Sequence, residues 1–112
     1  MSIKDLNLKE NEKEAILFLK NLLLKKFNLL DFRIFGSMVW GNAGPESDID
    51  VMVELEEVTP EIESQIDEIV FEINLEKDTF ITTIIFSRDE IEEGPMSESP
   101  IYKVIQKEGI SI

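Results

Sequence analysis

Residues 36–53 read GSMVWGNAGPESDIDVMV. The stretch joins Gly36-Ser37-x-x-x-Gly41, a turn-rich connection through Gly44-Pro45, and Ser47-Asp48-Ile49-Asp50. Before it, Leu29 to Phe35 alternates loosely, is rich in Leu, Ile and Phe, and stops at Gly36, as a buried strand does on meeting a turn. After it, the apolar run Ile49 to Leu55, with Val and Ile on both sides of its pleat, predicts a second strand. Asp48 and Asp50 stand two apart on an extended chain, so their carboxylates share one face while Ile49 points to the other. Like charges so placed crowd each other unless a cation lies between them, and hard oxygen ligands suit Mg²⁺ or Mn²⁺. Gly36-Ser37 lies where a helix can begin, and free N–H groups there, with the Ser37 hydroxyl, make a phosphate seat. Seat and carboxylates meet if the two strands are antiparallel neighbours. The pair then suits in-line attack on a nucleotide phosphate.

Working outward, Asn7 followed by Glu10 forms an N-x-x-E capping box, and Leu8, Ala15, Ile16, Leu19, Leu22, Leu23 and Phe27 recur near a 3.6 period, predicting a helix over about 8–27. Thr59-Pro60 places a capping hydroxyl before a proline at the first helical position, and Ile62, Ile66, Ile69, Val70 and Ile73 give one apolar face, predicting a helix over about 60–75. Thr79 to Phe86 has the β-branched density of a central strand. Glu90 to Ser99, acidic and broken by Gly94-Pro95, reads as a mobile loop. Ser99-Pro100 opens another helix that Gly109 ends, and Ile110-Ser111-Ile112 closes the chain as a short strand. The expected class is α+β, a small mixed β-sheet flanked by helices, in one domain over residues 1–112.

Composition narrows the chemistry. Eleven Lys+Arg against 24 Asp+Glu give a net charge of −13, which opposes a ligand held mainly by phosphate contacts, so direct nucleic-acid binding is not expected. With no Cys and no His, disulfides, thiolate catalysis, imidazole bases and Cys or His zinc sites are excluded. Catalysis would rest on carboxylates, hydroxyls, lysines or a metal. The first residues, MSIKDLNLKENEKEAI, lack the apolar core of a secretory signal, and no apolar run reaches the roughly 18 residues of a membrane span. A cytoplasmic protein with no membrane partner is expected. The Walker pattern G-x-x-x-x-G-K-[S/T] is absent.

The joint pattern Gly36-Ser37-x-x-x-Gly41, then Ser47-Asp48-Ile49-Asp50-x-x-Val53, resembles the signature of the minimal nucleotidyltransferases, small relatives of the DNA polymerase beta palm. With the closing Lys107-Glu108-Gly109-Ile110, the order of elements extends the resemblance to nearly the whole chain. The resemblance implies a polymerase beta palm-like fold, a nucleoside triphosphate held by Gly36 and Ser37 with support from Ser47, and magnesium bound by the catalytic aspartates Asp48 and Asp50. It implies transfer of a nucleoside monophosphate, AMP from ATP, to an acceptor hydroxyl. Small proteins of this kind are often the antitoxin half of a two-component toxin-antitoxin module whose partner is a helical protein of the HEPN type, and some adenylylate a tyrosine of that partner. The chain departs from the family at Thr82, matched to a third catalytic carboxylate, and at Met38 and Trp40, where arginines are common. A threonine cannot serve as an anionic base.

Plainer readings stand beside these. Asp48 and Asp50 as a solvated strand start, and the glycines as turn residues, would need no ligand. The acidic helix faces read as solvated surface, or as a docking patch for a basic partner. An alternative function on the same fold is a module that binds and masks a partner protein without turnover, Thr82 having replaced the carboxylate. A homodimer is one way to close the exposed edges of so small a sheet.

Overall fold

The computed structural model describes residues 6, 8–36, 48–92 and 98–112. Its elements run α1 (Glu10–Lys26), β1 (Leu29–Phe35), β2 (Ile49–Leu55), α2 (Pro60–Lys77), β3 (Ile81–Ser87), α3 (Arg88–Glu92), α4 (Pro100–Glu108) and β4 (Ile110–Ser111). The four strands lie in the order β3-β2-β1-β4. β1 is antiparallel to both β2 and β4, while β2 and β3 are parallel and joined through α2. The sheet is therefore mixed and helix-flanked, as the sequence predicts.

Each face of the sheet has its own core. Phe32, Ile34, Ile49, Val51, Val53, Leu55 and Ile81 are buried beneath α1 and α2, which contribute Ala15, Ile16, Leu19, Leu23, Ile66, Val70 and Ile73. On the opposite face Met52 and Phe86 pack against Ile91 of α3 and Ile105 of α4, with Phe35, Ile84 and Tyr102 at the margin. The Phe86 and Tyr102 rings meet edge to face with centroids 5.4 Å apart. The apolar residues of β2 do not divide evenly between its faces. Ile49, Val51, Val53 and Leu55 serve the larger core, and Met52 alone serves the smaller one, flanked by Asp50 and Glu54. Truncating a fully buried side chain such as Ile16 or Leu19 to alanine would cost about 2–5 kcal/mol.

Three local signals act differently from expectation. The first helix begins later than the Asn7 box implies: Lys9 is the N-cap, and its backbone N–H donates to Glu12 Oε1 at 2.8 Å. Asn7 lies outside the described residues. β3 is an edge strand rather than a central one, because β-branched residues favour any half-buried pleat and do not require two neighbours. The predicted loop Glu90–Ser99 is preceded and partly replaced by α3. Ser87 caps that helix, its Oγ accepting from the Glu90 N–H at 3.2 Å and donating to Glu90 Oε1 at 3.0 Å. This S-x-x-E pattern is itself a capping signature. Residues 93–97 lie outside the described residues.

Other caps fall where predicted. Thr59 Oγ1 accepts from the Ile62 N–H at 3.2 Å, with Pro60 in the first turn. Ser99 occupies the N-cap of α4 ahead of Pro100, although its hydroxyl makes no capping bond. Gly109 is the C-cap of that helix, with extended backbone, and a Cβ built on it would lie 2.4 Å from the Ile105 carbonyl oxygen, which favours glycine there. At the far end of α2, Asn11 of α1 donates to the carbonyls of Lys77 and Asp78 at 2.8 and 3.2 Å, satisfying acceptors that a helix end leaves open. Among the described residues, no helix is long and apolar enough to cross a membrane.

Candidate active site

The antiparallel pairing of β1 and β2 sets Phe35 opposite Asp50, so the residue after β1 lies beside the second aspartate. That residue is Gly36, buried, with φ of +79°. A Cβ built on it would lie 2.3 Å from Asp50 Oδ2, a separation no real side chain tolerates. Two independent demands therefore converge on glycine here: the left-handed backbone and the carboxylate occupying the space of a side chain. The condition for meeting, that the strands be antiparallel neighbours, holds.

From the other side, the parallel pairing of β2 with β3 sets Asp50 opposite Thr82. Thr82 Oγ1 donates to Asp50 Oδ1 at 2.8 Å. Asp50 is half-buried, with one oxygen bonded to a hydroxyl and the other facing the glycine backbone. Asp48 is exposed, immediately before β2, where the Ile49 N–H donates to the Phe80 carbonyl at 2.8 Å and pins the start of the strand to β3. With Ile49 buried on the larger core, alternation carries Asp48 and Asp50 to the α3–α4 face.

Asn74 of α2 fixes where β3 begins and hence where Thr82 falls. Its side-chain oxygen accepts from the Ile81 N–H at 2.9 Å and from Thr79 Oγ1 at 2.9 Å, and its Nδ2 donates to the Ile81 carbonyl at 3.0 Å. Asp78, the left-handed C-cap of α2 with φ of 56°, turns the chain into this latch. Neither residue carries an obvious sequence signal, although an asparagine near a helix end is a common turn and cap residue.

Of the residues read from the sequence, Gly36 and Asp50 are brought into contact and Asp48 stands two residues away along the chain. Ser37 and Ser47, with Met38 and Trp40, lie outside the described residues. Among the described residues, no group of three or more His, Cys, Asp or Glu side chains is arranged to hold a metal ion. The two aspartates nonetheless fit magnesium, which is commonly held by one or two carboxylates and completes its shell with substrate phosphates and water.

A second polar group on the same sheet face was missed by the sequence reading. Glu54 of β2 is paired with Asp31 of β1, and Asp31 Oδ2 accepts from Arg33 Nε at 2.7 Å. Burial pushes the Glu54 carboxyl above its ordinary range, and the neighbouring Asp31 and Glu92 push it further, while Arg88 and Arg33 oppose them. The Tyr102 hydroxyl is likewise raised, by burial first and then by Glu54 and Asp31. Even-numbered alternation from Asp50 through Met52 to Glu54 is the signal that would have found it.

The model of the nucleotidyltransferase domain matches residues 9–112. The chain belongs to the nucleotidyltransferase domain family. A candidate nucleotidyltransferase from Sulfolobus solfataricus, solved by crystallography, has a similar fold, with a TM-score of 0.52 over 94% of this chain and 88% of that one. At 15% identity that likeness speaks for the fold alone. No curated protein matches the sequence. Within this nucleotidyltransferase domain, Gly36, Asp50 and Thr82 form the hydrogen-bonded and close-packed part of the face described above.

Proposed function

We propose that the chain is a minimal nucleotidyltransferase that moves a nucleoside monophosphate, AMP from ATP, to an acceptor hydroxyl on a partner protein. The observation that supports this reading is the close approach of the strand-end Gly36 to the carboxylate of Asp50, the second acid of the motif. In this reading Asp48 and Asp50 hold magnesium, which supplies neutralisation of the charge developing on the phosphate oxygens. Gly36 gives the triphosphate close access to the backbone, and Ser37 and Ser47 complete the seat. Thr82 orients Asp50 through its hydroxyl, holding one carboxylate oxygen so that the other keeps its direction. By the family resemblance, the partner is a helical protein of the HEPN type, and the pair forms a cytoplasmic toxin-antitoxin module. A net charge of −13 favours a protein acceptor over an RNA one.

A second reading rests on Thr82, which stands beside Asp50 where a third carboxylate would be matched. The domain would then bind and mask its partner without turnover. Transfer of α-labelled nucleotide by the purified protein, with Mg²⁺ and the co-expressed neighbour, separates the two. The enzyme predicts label on the neighbour that is lost in Asp48→Ala and Asp50→Ala, together with loss of neutralisation. Masking predicts no label and neutralisation that survives both changes. A gain of transfer in Thr82→Asp would support the placement of the third carboxylate at that position.

A further inference from the structure

The two edges of the sheet are managed differently. β4 is only two residues long, the kind of short edge that offers little to a passing strand. β3 is seven residues long, pairs in unbroken register with β2, and reads ITTIIFS, without a charge, a proline or a bulge. Natural edges usually carry one of those devices. The Ile49 N–H bonds the Phe80 carbonyl, so even-numbered residues of β3 direct their backbone groups towards β2 and odd-numbered ones outwards. Asn74 occupies the first outward position, bonding both the N–H and the carbonyl of Ile81 as a neighbouring strand would. The next two outward residues, Thr83 and Ile85, have no such partner among the described residues.

The surroundings of this edge are acidic. Asn74 marks the flank of α2 that overhangs β3, and helical spacing places Asp67, Glu63 and Phe71 on the same flank, all three exposed. Past the other end of β3, Asp89 of α3 is exposed, and the nearby Arg88 is engaged by Glu56 and Glu92 at 3.4 and 3.1 Å. Phe71 and Phe80, exposed at 63% and 57%, add apolar surface beside the strand.

We propose that the outer edge of β3 receives an extended basic segment of the acceptor protein as a fifth strand, paired through Thr83 and Ile85. The inference rests on the reading that the acceptor is a protein. Charge selects the occupant: a second copy would bring Glu63, Asp67 and Asp89 against their own kind, whereas lysines or arginines flanking an apolar strand meet them with opposite sign. Main-chain bonding supplies affinity in this mode of recognition and alternate side chains supply selectivity. The added strand lies about 10 Å from β2, two strand spacings away, which brings the acceptor beside Asp50.

The test uses the full chain and a capped octapeptide alternating valine and lysine, followed by amide hydrogen exchange and titration. Binding should slow exchange of the Thr83 and Ile85 amides, and N-methylation of the peptide's bonding residues should weaken it at least tenfold. Replacing the peptide lysines by glutamates should abolish binding, and Thr83→Lys in the protein should weaken it while Mg²⁺-dependent nucleotide binding is retained. Absence of peptide binding, or binding indifferent to N-methylation, overturns the proposal. So does protection of Thr83 and Ile85 in the free protein together with a dimeric mass by sedimentation, which would assign the edge to a second copy. Peptide binding without transfer to any protein would instead refute the proposed enzymatic function and leave the edge interaction standing.

Discussion

Two carboxylates of β2 stand on the same sheet face, four residues apart, and are treated in opposite ways. Glu54 is surrounded by charge, with Asp31, Arg33, Glu92 and Arg88 all acting on it, and the Arg33–Asp31 ion pair at 2.7 Å is mostly buried. Asp50 has no ion pair among the described residues; it has a threonine hydroxyl at 2.8 Å and a glycine backbone. The first arrangement pairs Asp31 with Arg33 and ties β1 to α4, since Arg33 also reaches the Gln106 carbonyl at 3.5 Å, while Glu54 itself is crowded by Asp31 and Glu92. The second leaves a carboxylate with no cationic side chain paired to it among the described residues, beside a backbone stripped of side-chain bulk. The lesson is that carboxylate content alone does not mark a site in so acidic a chain; what sets Asp50 apart is its setting, a hydroxyl and a bare glycine backbone in place of a shell of charged side chains.

The comparison breaks most sharply under substitution of Asp50. Asp50→Ala should lower nucleotide transfer by about a hundredfold or more, given the several kcal/mol that metal-assisted charge stabilisation supplies, measured as initial rate of label transfer. Glu54→Gln should leave that rate within a few-fold of wild type, and a comparable loss in both would erase the distinction. Gly36→Ala comes next. The positive φ and the clash with Asp50 should cost about 1–3 kcal/mol in denaturant titration, and nucleotide binding should weaken with it. Arg33→Met should destabilise the fold by about 1–3 kcal/mol at pH 7 by leaving Asp31 without its charged donor.

The smallest effect concerns pH. Because the Glu54 pKa is raised in the folded chain, the folded state holds that proton more tightly than the unfolded one. Stability from this group therefore rises as pH falls through its folded pKa and is reduced at neutral pH, where Glu54 is charged. Glu54→Gln should flatten that rise between pH 7 and the ordinary value of 4.5, followed by thermal unfolding across the range. An unchanged pH profile would remove Glu54 from the contrast.

Much of this architecture is legible in the sequence. The limits Leu29–Phe35 and Ile49–Leu55 match the strands residue for residue, because each is an apolar run cut off by turn residues. Gly36 and Asp50 are readable as a pair because the motif constrains both sides of one turn. Strand order is less accessible: ITTIIFS has the same composition at an edge as in the centre, and only the latch by Asn74 and the missing fifth strand distinguish them. The Glu54–Asp31–Arg33 group was hidden because cross-strand partners come from register, including the bulge between Leu29 and Asp31, which no local spacing encodes. The α3 helix was missed despite its Ser87–Glu90 box, as five residues give no period to read.

The central claim is that the Asp50 end of the sheet, and not the Glu54 end, receives a magnesium–nucleotide complex. The most direct measurement is titration of isotopically labelled protein with ATP in the presence and absence of Mg²⁺, following backbone amide resonances. The account predicts Mg²⁺-dependent shifts concentrated at Gly36, Asp48, Asp50 and Thr82, with Asp31, Arg33 and Glu54 unmoved. Equal shifts at both ends, or none at Asp48 and Asp50, would contradict it.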